Sequence, residues 1–116
     1  KKRLPSEFEL EFCLLNSKKQ GNFLENMIYE PIGRKDQNNF FGDLWSWTSS
    51  YYTPYKNYQP FGEKFSEYNG KFMCNQFVLK GGSCITPIEH IRSSYRNFYY
   101  PGDRWQFSGL RLANDI

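Results

Sequence analysis

Apolar and polar positions alternate unevenly along the chain, and only a few stretches carry a clear period. Ser6 and Glu9 form a capping box, and Phe8, Leu10, Phe12, Leu14 and Leu15 follow it. The pattern predicts a helix over residues 6–16, with Cys13 on or near its buried face. Residues 20–39 are rich in Gly, Asn, Pro and charge, which predicts an ordered but irregular loop. A short strand is expected over 44–49, with Trp45 and Trp47 on one face because they are two residues apart. A second long loop, dense in Tyr, Pro and Gly, spans 51–69, and a strand follows over 71–80. Gly81 and Gly82 then supply the backbone freedom for a sharp corner. Thr86 and Glu89 make a second capping box, with Pro87 at the first helical position, and predict a short helix through about Ser94. A strand over 105–112 closes the chain. No repeat, domain boundary or low-complexity segment interrupts this order. Two short helices and a few strands among long loops read as a loop-rich α+β fold.

Composition narrows the function classes. A chain of 116 residues is one domain at most. Aromatics make up 20% of it while Val, Ile and Ala are scarce, so the core must rest on rings whose polar edges need partners. The net charge of +3 is scattered apart from Lys1-Lys2-Arg3 and Lys18-Lys19, too thin for a nucleic-acid footprint. The longest apolar run is a few residues, which excludes a transmembrane helix, and no signal peptide is visible. Cys13, Cys74 and Cys84 form neither a disulfide framework nor a zinc signature, which points to a reducing, cytoplasmic setting. Cys13 and Cys74 read as small buried hydrophobes, whereas Cys84 follows the glycine corner. The chain opens on Lys1 without an initiator Met, so a fragment of a larger protein is expected.

Residues 75–108, NQFVLKGGSCITPIEHIRSSYRNFYYPGDRWQFS, pack many special positions into one stretch. With Arg3-Leu4-Pro5-Ser6 and Gly42-Asp43-Leu44-Trp45-Ser46-Trp47-Thr48, this stretch closely resembles the C-terminal domain of the sulfoxide synthases of ergothioneine biosynthesis, the hercynine oxygenases. That domain belongs to the formylglycine-generating-enzyme, or sulfatase-modifying-factor, superfamily. The resemblance implies a C-type-lectin-like, formylglycine-generating-enzyme-like fold. It makes residues 1–116 the C-terminal part of such a domain, with the upstream part and an iron-binding helical domain lying outside the chain. The family binds Fe(II) on three histidines of that helical domain. Here His90 stands alone, and no metal role is assigned to it. The implied substrates are hercynine, a thiol and O2.

Other chemistries of the superfamily fit less well. Formylglycine-generating enzymes use two cysteines after the Gly-Gly-Ser corner to bind copper, and only Cys84 follows it here. Sugar-binding lectins need a Glu-Pro-Asn or Gln-Pro-Asp tripeptide, but Glu30-Pro31 is followed by Ile32.

The resemblance carries a candidate substrate-binding group onto Arg96, Asn97, Phe98 and Tyr99, within the run Tyr95-Arg96-Asn97-Phe98-Tyr99-Tyr100. Asn97 would hydrogen-bond hercynine through an amide that both donates and accepts. Phe98 and Tyr99 would lay aromatic faces beside a trimethylammonium or thiol. Arg96 also has a claim as a brace, and the competing reading of the whole cluster is core. In the branch that uses γ-glutamylcysteine, an Asp and an Arg occupy the positions of Tyr99 and Asp103. The segment instead matches the branch with Arg-Asn-Phe-Phe-Pro-Pro and Arg-Trp-Gln-Phe-Ser-Gly, which implies free cysteine as the thiol. Ser46 stands where the family has a Glu between the tryptophans. No catalytic residue is identified, although Tyr68 lies near the family's cleft-lining tyrosine. Asp43, Asn22 and the backbone at Gly42 suggest a structural calcium site. The alternative from a different class is a non-catalytic binding module of the same fold.

Overall fold

The computed structural model describes residues 1–33, 38–54 and 75–115. Strand β2 (Trp45–Tyr51) pairs antiparallel with β3 (Phe77–Lys80), which pairs antiparallel with β4 (Asn97–Tyr99). On its other side β2 takes β5 (Ser108–Gly109) in parallel, giving the order β4-β3-β2-β5. A separate ribbon joins β1 (Lys2–Arg3) to β6 (Ala113–Asn114). Helix α1 (Glu7–Leu15) packs across β2 and β3. The result is the loop-rich α+β arrangement that the sequence predicts.

The capping box of α1 forms as expected. Ser6 Oγ accepts from Glu9 N–H at 3.2 Å, and Glu9 Oε1 accepts from Ser6 N–H at 3.0 Å. The helix does not, however, bury all of its apolar residues. Glu7, Leu10 and Leu14 share the inward face at helical spacing, while Phe8, Phe12 and Leu15 lie on the exposed side and Cys13 is half-buried. Leu14 joins Phe23, Phe41, Trp45, Leu79 and Ile91 in the core, and Trp47 packs against the same cluster. Both tryptophans of β2 therefore serve one core. Trp47 also donates its indole N–H to Ser108 Oγ at 3.1 Å, tying β5 to β2.

Arg3 closes the chain on itself. Its guanidinium donates to both carboxylate oxygens of Glu9, at 2.9 and 2.8 Å, and to Asp115 Oδ1 at 3.0 Å. The Arg3 hydrogen bonds, aided by Ser6, hold the Glu9 carboxyl down at about 2. This stabilisation is complete above the ordinary glutamate value of 4.5 and is lost as pH falls towards about 2. A titration of the Glu9 carboxyl by NMR should find that midpoint near 2 in the native chain. Arg3→Gln should raise it towards the ordinary range, with Ser6 still holding it below, and a native midpoint already in that range would mean the clip does not form in solution.

Three predicted elements differ from the structure. The helix expected from Thr86 is a single 3-10 turn, Ile88–His90, with no side-chain cap. Thr86 Oγ1 is occupied by Ser83 N–H at 3.0 Å, and Pro87 is extended with ψ 134°. Ile88 N–H goes instead to the carboxylate of Glu25, 3.1 Å away in the 3-10 turn Leu24–Asn26. Burial of Ile91 in the core then returns the chain to an extended form. The strand expected over 105–112 pairs only at Ser108–Gly109; beyond it the chain leaves β2 for β1, and Leu110 and Leu112 are exposed. Of the strand expected over 71–80, Phe77–Lys80 is formed and 71–74 lie outside the described residues, as does most of the loop expected over 51–69. Strand β4 itself was hidden, because an Arg-Asn-aromatic run carries no period-2 signal.

The glycine corner after β3 is as sharp as expected. Gly81 and Gly82 both take positive φ, +100° and +84°. A Cβ on Gly81 would sit 2.7 Å from the Phe40 carbonyl oxygen, and one on Gly82 would sit 2.9 Å from Ile91 and Phe23. Just before the corner, Lys80 is wholly buried, with its ammonium donating to Glu11 at 3.4 Å and to the Ser93 carbonyl at 3.2 Å. Burial pushes its pKa down, partly opposed by Glu11.

Candidate functional site

Alternation along β4 divides the candidate group into two faces. Asn97 and Tyr99 project to one side and Phe98 to the other. On the first side lies a cavity of about 290 Å³ whose walls include Trp45, His90, Asn97, Tyr99, Trp105 and Gln106. That volume suits one ligand of amino-acid size, since ligand pockets start at about 300 Å³.

Asn97 is fixed from within its own strand. Its Oδ1 accepts from Phe98 N–H at 2.8 Å, and its Nδ2 donates to Tyr99 Oη at 3.2 Å. Because Tyr99 accepts that bond, its hydroxyl hydrogen is left for another acceptor, and the Asn97 amide keeps a second N–H. The Tyr99 ring meets Trp105 edge-on, with centroids 4.9 Å apart at 84°. Trp105 is 74% exposed, so its indole is open to an incoming ligand. Behind the cavity Trp45 packs on Tyr95 at 5.8 Å, and Tyr95 Oη lies 3.1 Å from His90 Nε2. Among the described residues none of the lining side chains is Asp, Glu, Lys or Arg. An aromatic, uncharged wall of this kind favours a quaternary ammonium through cation–π attraction and gives no counter-charge to an extra carboxylate.

Arg96 and Phe98 lie behind the strand. Arg96 makes a two-pronged bond to Glu7, Nε to Oε2 and Nη2 to Oε1, both at 2.9 Å. Its guanidinium also lies over the Tyr52 ring at 4.8 Å, and that ring stacks on Phe98 at 4.3 Å and 13°. The structure thus brings Asn97 and Tyr99 together on the cavity and gathers Arg96 and Phe98 at the rear. Trp45, Trp105 and Gln106, which the sequence places in the family-like motifs without a substrate-binding role, also line this cavity. Their signal is three-dimensional: the β2–β5 pairing, Trp45 to Ser108, carries Trp105 and Gln106 beside Trp45. A larger cavity of about 560 Å³ lies elsewhere, between α1, Phe40 and the segment of Arg111 to Ala113, and contains none of the candidate residues.

Residues 18–116 match the sulfatase-modifying factor enzyme 1-like domain. The chain belongs to that family. Its C-type-lectin-like fold accounts for the small sheets and long loops described above. Among curated relatives, the hercynine oxygenase of Mycolicibacterium smegmatis is 38% identical over 78 residues, which are 65% of this chain and 18% of that protein. The hercynine oxygenase of Mycobacterium tuberculosis is 37% identical over 76 residues, 65% of this chain and 17% of that protein. Ergothioneine biosynthesis protein 1 of Schizosaccharomyces pombe is 31% identical over 89 residues, 73% of this chain and 11% of that protein. The chain therefore spans less than a fifth of the length of these relatives.

In this sulfatase-modifying-factor domain the expected calcium site is used differently. Asp43 Oδ1 accepts from Asn22 Nδ2 at 3.0 Å and from Ile32 N–H at 2.8 Å, while Oδ2 accepts from Gly33 N–H at 3.2 Å. The Asp43 backbone adds bonds to the Asn22 carbonyl at 2.7 Å and from Cys84 N–H at 3.0 Å. A carboxylate surrounded by N–H donors staples loops and leaves no oxygen cage for a cation, so calcium is not supported here. Cys84 beside it is fully buried, and desolvation raises its thiol pKa, which keeps it neutral and unreactive. His90 faces Tyr95, not a metal ligand. Among the described residues no three His, Cys, Asp or Glu side chains are grouped to hold a metal, so these residues do not fit an iron site. Tyr68 and Cys74 lie outside the described residues. No helix among the described residues is long and apolar enough to cross a membrane.

Proposed function

We propose that this chain is the substrate-binding portion of an iron-dependent, cytoplasmic sulfoxide synthase. That enzyme joins a thiol to hercynine with O2 in ergothioneine biosynthesis. The observation that carries the reading is the Asn97–Tyr99 pair, held by a hydrogen bond of 3.2 Å on the wall of an uncharged aromatic cavity. The free N–H and lone pair of Asn97 suit the polar groups of hercynine, and Tyr99 and Trp105 offer rings to its trimethylammonium. Arg96 and Phe98 serve the same site from behind by holding the strand. The Fe(II) and its O2 chemistry belong to a helical domain outside these residues, so this chain binds and orients substrates.

Cysteine is the favoured thiol. Asp103, where the γ-glutamylcysteine branch carries an Arg, has its carboxylate committed to Tyr100 N–H at 3.0 Å. Among the described residues the cavity wall holds no Lys or Arg for the additional carboxylate of the dipeptide.

Calorimetry of hercynine binding to the full-length protein tests the reading. Asn97→Ala should weaken binding by about tenfold, the worth of one or two hydrogen bonds. A wild-type protein that binds no hercynine would instead make the chain a non-catalytic module. Unchanged affinity in Asn97→Ala would move the site away from β4.

A further inference from the structure

The back of β4 is built more firmly than a substrate-facing strand of three residues requires. We infer that Glu7 is a positioning residue for the candidate site: through Arg96 it sets the pose of β4, so that Asn97 and Tyr99 face the cavity. The inference rests on the reading of Asn97 and Tyr99 as ligand contacts.

Glu7 stands in the first turn of α1, 89 positions before Arg96 and outside the stretch 18–116 that matches the family. It is 3% exposed, an unusual place for a carboxylate. Its backbone N–H is anchored to Ser50 Oγ at 2.9 Å, so the side chain starts from a fixed point on β2. Both carboxylate oxygens grip the Arg96 fork at 2.9 Å, which fixes the direction as well as the position of the guanidinium. Tyr52 closes the stack by lying against Arg96 on one side and Phe98 on the other. Arg96 and Phe98 are thereby held on either side of Asn97. The Asn97 side chain takes its two bonds from Phe98 and Tyr99, so its orientation follows that of the strand. Among the described residues β4 is three residues long and pairs along one edge, with β3, so a buried two-pronged anchor at its start adds to what that ladder fixes.

A double-mutant cycle on hercynine affinity in the full-length protein decides the matter. Glu7→Gln should weaken binding roughly tenfold, and the same change in an Asn97→Ala background should cost less than about threefold, because both act through one side chain. Glu9→Gln, which opens the Arg3 clip away from β4, should leave affinity unchanged. Native affinity in a folded Glu7→Gln protein would overturn the inference, as would a full tenfold cost in the Asn97→Ala background. Should Glu7→Gln not fold, Arg96→Lys, which keeps the charge but gives up the fork, takes its place in the same cycle with the same outcomes. If the wild type binds no hercynine, the functional reading fails separately. The positioning role is then read from the NMR signal of the Asn97 side-chain amide. Movement in Glu7→Gln but not in Glu9→Gln supports it, and a stationary signal refutes it.

Discussion

Arg96→Ala should lower the unfolding free energy by about 3–5 kcal/mol, read from the urea midpoint at constant slope. The side chains of Arg96 and Glu7 are 10% and 4% exposed, so deleting the guanidinium leaves a carboxylate out of water with its two strongest donors gone. The cost comes from that stranded charge more than from the lost attraction. Replacing both partners by apolar residues, as in Glu7→Leu with Arg96→Met, should therefore recover most of the loss. A single Arg96→Ala variant within 1 kcal/mol of wild type would mean that Glu7 finds water or Lys80 instead, and that the pair contributes little. The neighbouring Lys80–Glu11 contact is longer, at 3.4 Å, and its carboxylate is 25% exposed, so the same deletion logic applies there with a smaller effect.

Gly82→Ala should be the second severe change, costing about 3 kcal/mol. Two terms add. An alanine at φ +84° carries roughly 1–2 kcal/mol of backbone strain. Its Cβ would lie 2.9 Å from both Ile91 and Phe23, which are 1% exposed and have no room to retreat, adding about 1–3 kcal/mol of overpacking. Gly102→Ala is the matched control, since a Cβ there meets nothing within 4 Å. Thermal unfolding of the two variants should separate them clearly, and equal midpoints would show that the corner relaxes around the methyl group.

Local signals in the sequence were legible where the chain obeys neighbours close in sequence. Ser6 and Glu9 cap α1 as their spacing requires, and the paired glycines turn the chain after β3. Such signals misled where a distant partner competed for the same atoms. Thr86 would cap a helix in isolation, but Ser83 takes its hydroxyl and Glu25 takes the N–H of Ile88. Strand β4 exists because β3 offers it an edge, with Leu79 opposite Asn97 and Val78 opposite Phe98, and no local pattern announces that. The candidate site shows the same division. Residues 96–99 were visible as a group, yet which of them share a face depends on the strand they form. The wall supplied by Trp105 and Gln106 depends on a parallel pairing of β5 with β2 across more than half the chain.

The ribbon of β1 and β6 makes the fate of residues 2–3 depend on that of residues 113–114. Lys2 lies opposite Asn114, so the incoming and outgoing chain pass one another at a strand spacing of about 4.8 Å. Loss of either strand would leave the other without its ladder partner, so these two segments, more than a hundred positions apart, open together.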